Sequence, residues 1–246
     1  MYAVVIKWFT QWLHPLNMQW LYQNSRWVFG GCALLIIPGL WGAWSVSPDY
    51  QQGEAFRIIF CHVPASILSL ACYAVLAFSS LIFLIWRIRY YDFIAYCAAE
   101  AGTLMCALSL ITGMIWGRPI WGTYWLWDAR LTSTAMLLGI YVCYHLLRYV
   151  IVTRESQRVI SAVFALVGFV DIPIIHFSVY WWHSLHQGST FFQSTQQTIP
   201  LAMSWPLWPM LIGLAGFLGL VASWRFEQLF LADLKWRGIL RKAYVS

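Results

Sequence analysis

The stretch HVPASILSLACYAVLAFSSLIFLIW, residues 62–86, passes without a single Asp, Glu, Lys or Arg. A hydrocarbon core about 30 Å thick is crossed by a helix of roughly 20 apolar residues. Strand alternation is missing from the run, and an open sheet edge could not sit in lipid in any case. The stretch therefore predicts a membrane-spanning helix. Working outward, apolar runs at 27–46, 93–116, 131–151, 159–180 and 205–224 predict five more. The expected fold is an all-α integral membrane protein with six transmembrane helices. Composition agrees, because 61% of the 246 residues are hydrophobic, 18% aromatic and only 10% charged. Mean hydropathy is +0.66. A soluble domain carries roughly 25% charged residues, so a soluble fold, a disordered chain and a large extramembrane domain are all excluded. No internal repeat or Gly/Ser linker is visible, and residues 1–246 read as one six-span membrane domain.

Cations set the orientation. Lys7, Arg26, Arg87, Arg89, Arg148, Arg154, Arg158, Arg225, Lys235, Arg237, Arg241 and Lys242 fall on one side of the predicted spans. Only Arg57, Arg118 and Arg130 fall on the other. By the positive-inside rule both termini are expected to be cytoplasmic, with the first, third and fifth loops facing out. The net charge of +6 thus reflects a membrane orientation and not a nucleic-acid partner. Residues 1–26 show no cleavage site for a signal peptide. Their Val5, Trp8, Phe9, Trp12 and Leu16 recur at helical spacing, which predicts an N-terminal segment lying in the interface. The six cysteines form neither CxxC nor CxxCH and read as small apolar fillers, with Cys61, just before His62, the one candidate exception.

The outward loops are the unusual part. Residues 116–133 form a tryptophan-rich loop in which Trp116, Arg118, Trp121, Tyr124, Trp125, Trp127, Asp128 and Arg130 crowd together. Trp and Tyr favour the headgroup level, so an aromatic belt explains part of this. A belt does not explain two glycines and an Asp-x-Arg beside the indoles. Indole faces also suit a large flat ligand, which gains stacking and apolar burial together. Asp128 is placed to cap the fourth span, to hold Arg130, or to do both.

Four of the six histidines share that side: His62 before the second span, His176 near the end of the fifth, and His183 and His186 in the outward loop 181–204. His14 and His145 read as local hydrogen-bonding residues on the inner side. A lone interfacial histidine usually does no more than that. Two imidazoles from separate loops flanking an aromatic surface are what six-coordinate haem would require. Arg57, Arg118 and Arg130 suit the two propionates, since a guanidinium matches a carboxylate in bidentate fashion.

The run Trp-Gly-Thr-Tyr-Trp-Leu-Trp-Asp-Ala-Arg-Leu-Thr-Ser at 121–133 resembles the "WWD" signature of haem-handling membrane proteins. The length, the six spans and one outward histidine on each side of the signature make the chain similar to the cytochrome c maturation protein C family (CcmC, haem exporter protein C). The resemblance spans nearly the whole chain in topology. Its most specific parts are 121–133, Arg57 to Pro64, and Trp181-Trp182 through His186-Gln187-Gly188. It implies non-covalently held haem b, transferred and not retained, on the periplasmic face of the inner membrane. His62 and His186 then stand at the axial positions, with His183 the rival to His186. Arg57 and Arg130 match positions for propionate binding or loop support. The implied partners are a haem chaperone (maturation protein E), a small single-span protein (maturation protein D) and ABC transporter subunits (maturation proteins A and B). The implied role is haem export and delivery in c-type cytochrome biogenesis, a non-enzymatic one.

Three rival classes are weaker. A haem lyase of the larger WWD type needs more spans and histidines than 246 residues allow. A cytochrome b would place histidine pairs at mid-depth, where the spans have almost none. A permease subunit of an ABC-type transporter would show repeats or broken helices, and neither is visible in the sequence. In its favour stand only Glu100 and Asp171, the acids within the spans, Asp171 just before Pro173. Such groups are functional candidates by default, but they can equally bond across helices. They do not make a path for haem, and lateral arrival from the outer leaflet fits the sequence at least as well.

Overall fold

The computed structural model describes residues 23–182, 201–236 and 238. In chain order the helices are α1 (Ser25–Ser45), a 3-10 turn (Glu54–Ile58), α2 (Ile59–Trp86) and α3 (Arg89–Trp121). They are followed by α4 (Ala129–Val150), α5 (Arg154–Gly168), α6 (Asp171–Trp181), the short α7 (Leu201–Ser204) and α8 (Leu207–Trp236). Among the described residues there is no strand, only an isolated bridge between Asp49 and Gly53. The all-α membrane fold expected from composition is the one observed.

Five segments are long and apolar enough to cross a membrane: Ser25–Ser45, Glu54–Trp86, Arg89–Trp121, Arg154–Trp181 and Leu207–Trp236. The fourth run expected from the sequence is present as the 22-residue α4. It is less apolar than the others because it carries Arg130, Thr132, Ser133, Thr134, His145 and Arg148.

A tight turn makes α2 and α3 an antiparallel pair. Arg87 adopts the left-handed conformation (φ 55°), and its N–H donates to the Phe83 carbonyl at 2.8 Å. Helices α4, α5 and α6 pack on one side of this pair and α8 on the other, with α1 laid chiefly against α8. The main core joins Tyr73 and Leu76 of α2, Ala95, Ala99 and Cys106 of α3, Leu137 and Tyr141 of α4, Ala165 of α5 and Ile175 of α6. Lipid tails are as apolar as leucine, so burial alone does not drive these helices together. Close packing does, and small residues at the contacts (Ala65, Ser69, Ala77, Ala95, Ala99) permit it. The large apolar side chains Leu34, Ile37, Trp41 and Trp44 of α1, with Leu104, Ile111 and Ile115 of α3, point outward, as a lipid-facing surface requires.

Two features differ from the expectation. Helix α3 runs five residues beyond the span predicted over 93–116, through Pro119, and stops at Gly122 (φ 78°), whose N–H donates to the Arg118 carbonyl at 3.1 Å. The first third of the predicted 116–133 loop is therefore helical. The fifth span is broken at 169–170, whereas no broken helix was expected. Pro173 has no N–H to offer the Phe169 carbonyl, which takes the Ile172 N–H at 3.1 Å instead.

The intramembrane acids have different fates. Glu100 is held by Arg225 of α8, with two contacts of 2.9 Å, which is the cross-helix bond anticipated for it. Asp171, at the start of α6, is 5% exposed, and neither carboxylate oxygen has a hydrogen-bond partner among the described residues. At the far end of the bundle from His62, Asp92 accepts from Arg148 and from Arg158, each at 3.1 Å. Arg158 also donates to Asp233 at 3.0 Å, and Arg89 lies 3.4 Å from the same carboxylate. This buried layer ties α3, α4, α5 and α8. Two of the arginines that set the expected orientation, Arg148 and Arg158, are buried or nearly so.

Candidate functional site

The opposite end of the bundle gathers the predicted site residues. The 3-10 turn carries Arg57 beneath the end of α1. Its guanidinium donates to the Ala43 carbonyl at 2.8 Å and also to the Trp44 carbonyl, pairs with Glu54, and lies 5.7 Å from the Trp44 ring centre. Arg57 thus satisfies carbonyls that the helix terminus leaves without partners. Arg118 does similar work on the next loop, donating to the Gly122 carbonyl with its charge 5.6 Å from the Tyr124 ring centre.

His62 lies in the first turn of α2, and Pro64, two residues on and inside the helix, has no N–H to offer the Phe60 carbonyl. Its Nδ1 is 3.0 Å from the Ser109 carbonyl oxygen and 3.1 Å from Thr112 Oγ1, both on α3. The Trp116 indole packs edge-on to the imidazole, with ring centres 5.6 Å apart at 70°. The Trp116 Nε1–H donates to Gln52 Oε1 at 3.0 Å, tying α3 to the loop between α1 and the 3-10 turn.

Beyond Gly122 the chain is irregular until Asp128. Asp128 accepts from the Arg130 N–H at 2.9 Å and the Leu131 N–H at 3.4 Å, so it is the N-cap of α4. Trp125 and Trp127 meet edge to face, 5.5 Å apart at 82°. They cannot both lie flat against one planar molecule. Trp127 is 84% exposed and Tyr124 is 55% exposed. Trp125 is half-buried, and its Nε1–H is a buried donor with no acceptor among the described residues.

A family model described as "Heme exporter protein C" matches residues 8–235. The chain belongs to that family. Over 192 residues it is 40% identical to the "Heme exporter protein C" of Escherichia coli strain K12, an alignment covering 76% of this chain and 77% of that protein. It is 35% identical over 216 residues to the protein of the same name in Haemophilus influenzae, covering 85% and 87%. A cytochrome c biosynthesis "ccmC-like mitochondrial protein" of Marchantia polymorpha is 39% identical over 173 residues, covering 70% and 73%.

For this member of the haem exporter C family, the fold brings His62 and Trp116 into contact, while Arg57 braces the end of α1 and Arg118 packs by Tyr124. His176 is exposed on α6 and packs against Phe177, ring centres 4.9 Å apart. His145 sits within α4, bonded to Thr103 at 3.1 Å. His183 and His186 lie outside the described residues, as does most of loop 181–204. Gln52, Ser109 and Thr112 were not singled out from the sequence. The signal was available: Ser109, Thr112, Gly113 and Trp116 recur at i, i+3, i+4 and i+7, one stripe of α3 facing His62.

Proposed function

We propose that the protein holds haem at the outer surface of the inner membrane and hands it to a periplasmic haem chaperone for attachment to c-type cytochromes. His62 and His186 are the axial ligands in this reading, with His183 the alternative to His186. Membership of the haem exporter C family supports the general role, and the relative from Marchantia carries cytochrome c biosynthesis in its name. The observation that carries the site is the anchoring of His62 Nδ1 on α3. A metal-ligating histidine almost always commits its other nitrogen to such a partner.

Around this ligand the exposed faces of Trp127 and Tyr124 offer stacking surfaces for the macrocycle. The buried Trp125 N–H is a donor suited to a carboxylate. Arg57, Arg118 and Arg130 supply positive charge for the propionates, and the first two also brace the loops that carry the site. No bond is made or broken in this role. In this reading α1, α2, α3, α4, the α5–α6 pair and α8 are six spans, and the bias of Lys and Arg supports cytoplasmic termini with the site outside. Glu100 is committed to Arg225, and Asp171 is a solitary acid at a helix break, so the acids offer no polar line across the bundle. Haem accordingly arrives sideways from the outer leaflet. The partners are the chaperone, a small single-span subunit and an ABC transporter.

Absorption spectra of the purified protein and of His62→Gly, with and without imidazole, test the ligand. A low-spin Soret spectrum lost in the variant and restored by imidazole is expected. Normal haem content and spectrum in His62→Gly without imidazole would remove His62 from the iron.

A further inference from the structure

The residues facing His62 specify more than contact. Thr112 Oγ1 lies 2.7 Å from the Leu108 carbonyl and 3.1 Å from the Ser109 carbonyl. A hydroxyl has one proton, and a threonine in a helix gives it to a preceding carbonyl. What Thr112 offers the imidazole is therefore a lone pair. The Ser109 carbonyl can only accept. Both neighbours of Nδ1 are acceptors, which assigns the proton of the neutral ring to Nδ1 and the lone pair to Nε2.

The α3 backbone is held at the right distance by a second contact one turn deeper. Ser66 Oγ donates to the His62 carbonyl at 2.8 Å and lies 2.6 Å from Ser109 Oγ, so α2 and α3 are pinned beside the ring. Gly113 leaves room for it: a Cβ there would meet His62 Cε1 at 3.0 Å and Nδ1 at 3.4 Å. Trp116 packs edge-on to the ring, with centres 5.6 Å apart.

We propose that Thr112, acting with the Ser109 carbonyl, is a positioning residue that holds His62 in the Nδ1–H tautomer and aims Nε2 at the iron of the haem it binds. The proposal rests on the haem-handling reading for its purpose, but the tautomer can be read without haem. A hydrogen bond from Nδ1–H to an acceptor makes the imidazole more basic and a stronger ligand for ferric iron. Thr112→Val removes the acceptor and keeps the shape. Thr112→Ser keeps the acceptor and is the rescue.

The experiment has two arms, both on the full-length protein in nanodiscs. In haem-free, ¹⁵N-histidine-labelled protein, the His62 resonances, assigned by their loss in His62→Gly, are expected to report Nδ1–H in the wild type and in Thr112→Ser. Thr112→Val is expected to show a mixture of tautomers. In haem-loaded protein, Thr112→Val is expected to raise the reduction potential and to weaken haem retention by roughly tenfold, the low end for such partners because the Ser109 carbonyl remains. The same change in a His62→Gly background without imidazole is expected to do nothing further, since Thr112 acts only through the ring at that position. An Nε2–H tautomer in the wild type, or an unchanged potential and retention in Thr112→Val, would overturn the proposal and leave His62 ligation standing. If wild-type protein shows the Nδ1–H tautomer yet never takes up haem, the haem reading falls and the proposal falls with it.

Discussion

At the scale of single residues, the outward tryptophans are not equivalent. Trp127 exposes 84% of its surface, so truncating it removes little packing from the protein itself. Trp125 is half-buried against it. Trp127→Ala is therefore expected to leave membrane insertion and the melting temperature in detergent unchanged within about 0.5 kcal/mol, as for other exposed sites. The yield of haem-loaded chaperone is expected to fall several-fold. Equal holo-chaperone in mutant and wild type would reduce Trp127 to a belt residue. Asp128 was legible from the sequence because a short acid before an apolar run is a local signal, and its capping contacts fall within three residues. Arg57 was legible as an outward charge suited to a propionate or to loop support, but its partners were not. Its attachment to the carbonyls of Ala43 and Trp44, 13 and 14 positions back, needs the turn between them to exist.

Between elements, the chief electrostatic link among the described residues is the layer at the end of the bundle far from His62. Asp92 is 3% exposed and answers Arg148 and Arg158 together, while Asp233, 2% exposed, answers Arg158 and Arg89. Removing one member of a buried ion pair leaves its partner desolvated and unpaired, at a cost of roughly 3–5 kcal/mol. Asp92→Ala is expected to lose that much against thermal or denaturant unfolding in detergent. A loss below 1 kcal/mol would mean that water reaches the layer and screens it. Glu100–Arg225 is a different case, with about a third of each side chain exposed, and is expected to contribute far less. None of these pairs is visible along the chain, because the partners are 56 to 144 residues apart. The break at 169–170 had a local signal in the kink-prone Pro173, although the run itself reads as one apolar span.

For the whole molecule, the structure sorts the ionic layer to one end and the His62–Trp116 cluster to the other. The proposed orientation puts the second end outside. Gln193→Cys is expected to react with a membrane-impermeant maleimide added to intact cells, above the background of the six native cysteines. Labelling that requires opened cells would invert the topology and put the haem site in the cytoplasm.

Hydropathy and the placement of cations are properties of the chain read in one dimension. They were enough to establish an all-α membrane protein, the approximate spans, the loop rich in tryptophan and the histidine that begins the second span. A span needs only enough consecutive apolar residues to match the bilayer, whatever its neighbours are. What the chain alone could not decide was which polar groups meet. Ser109 and Thr112 lie 47 and 50 positions from His62 and come to face its Nδ1 only because α2 and α3 pack antiparallel at close range. Hydrogen bonds act over about 3 Å, and that distance is set by packing in three dimensions, which no periodicity in the sequence records.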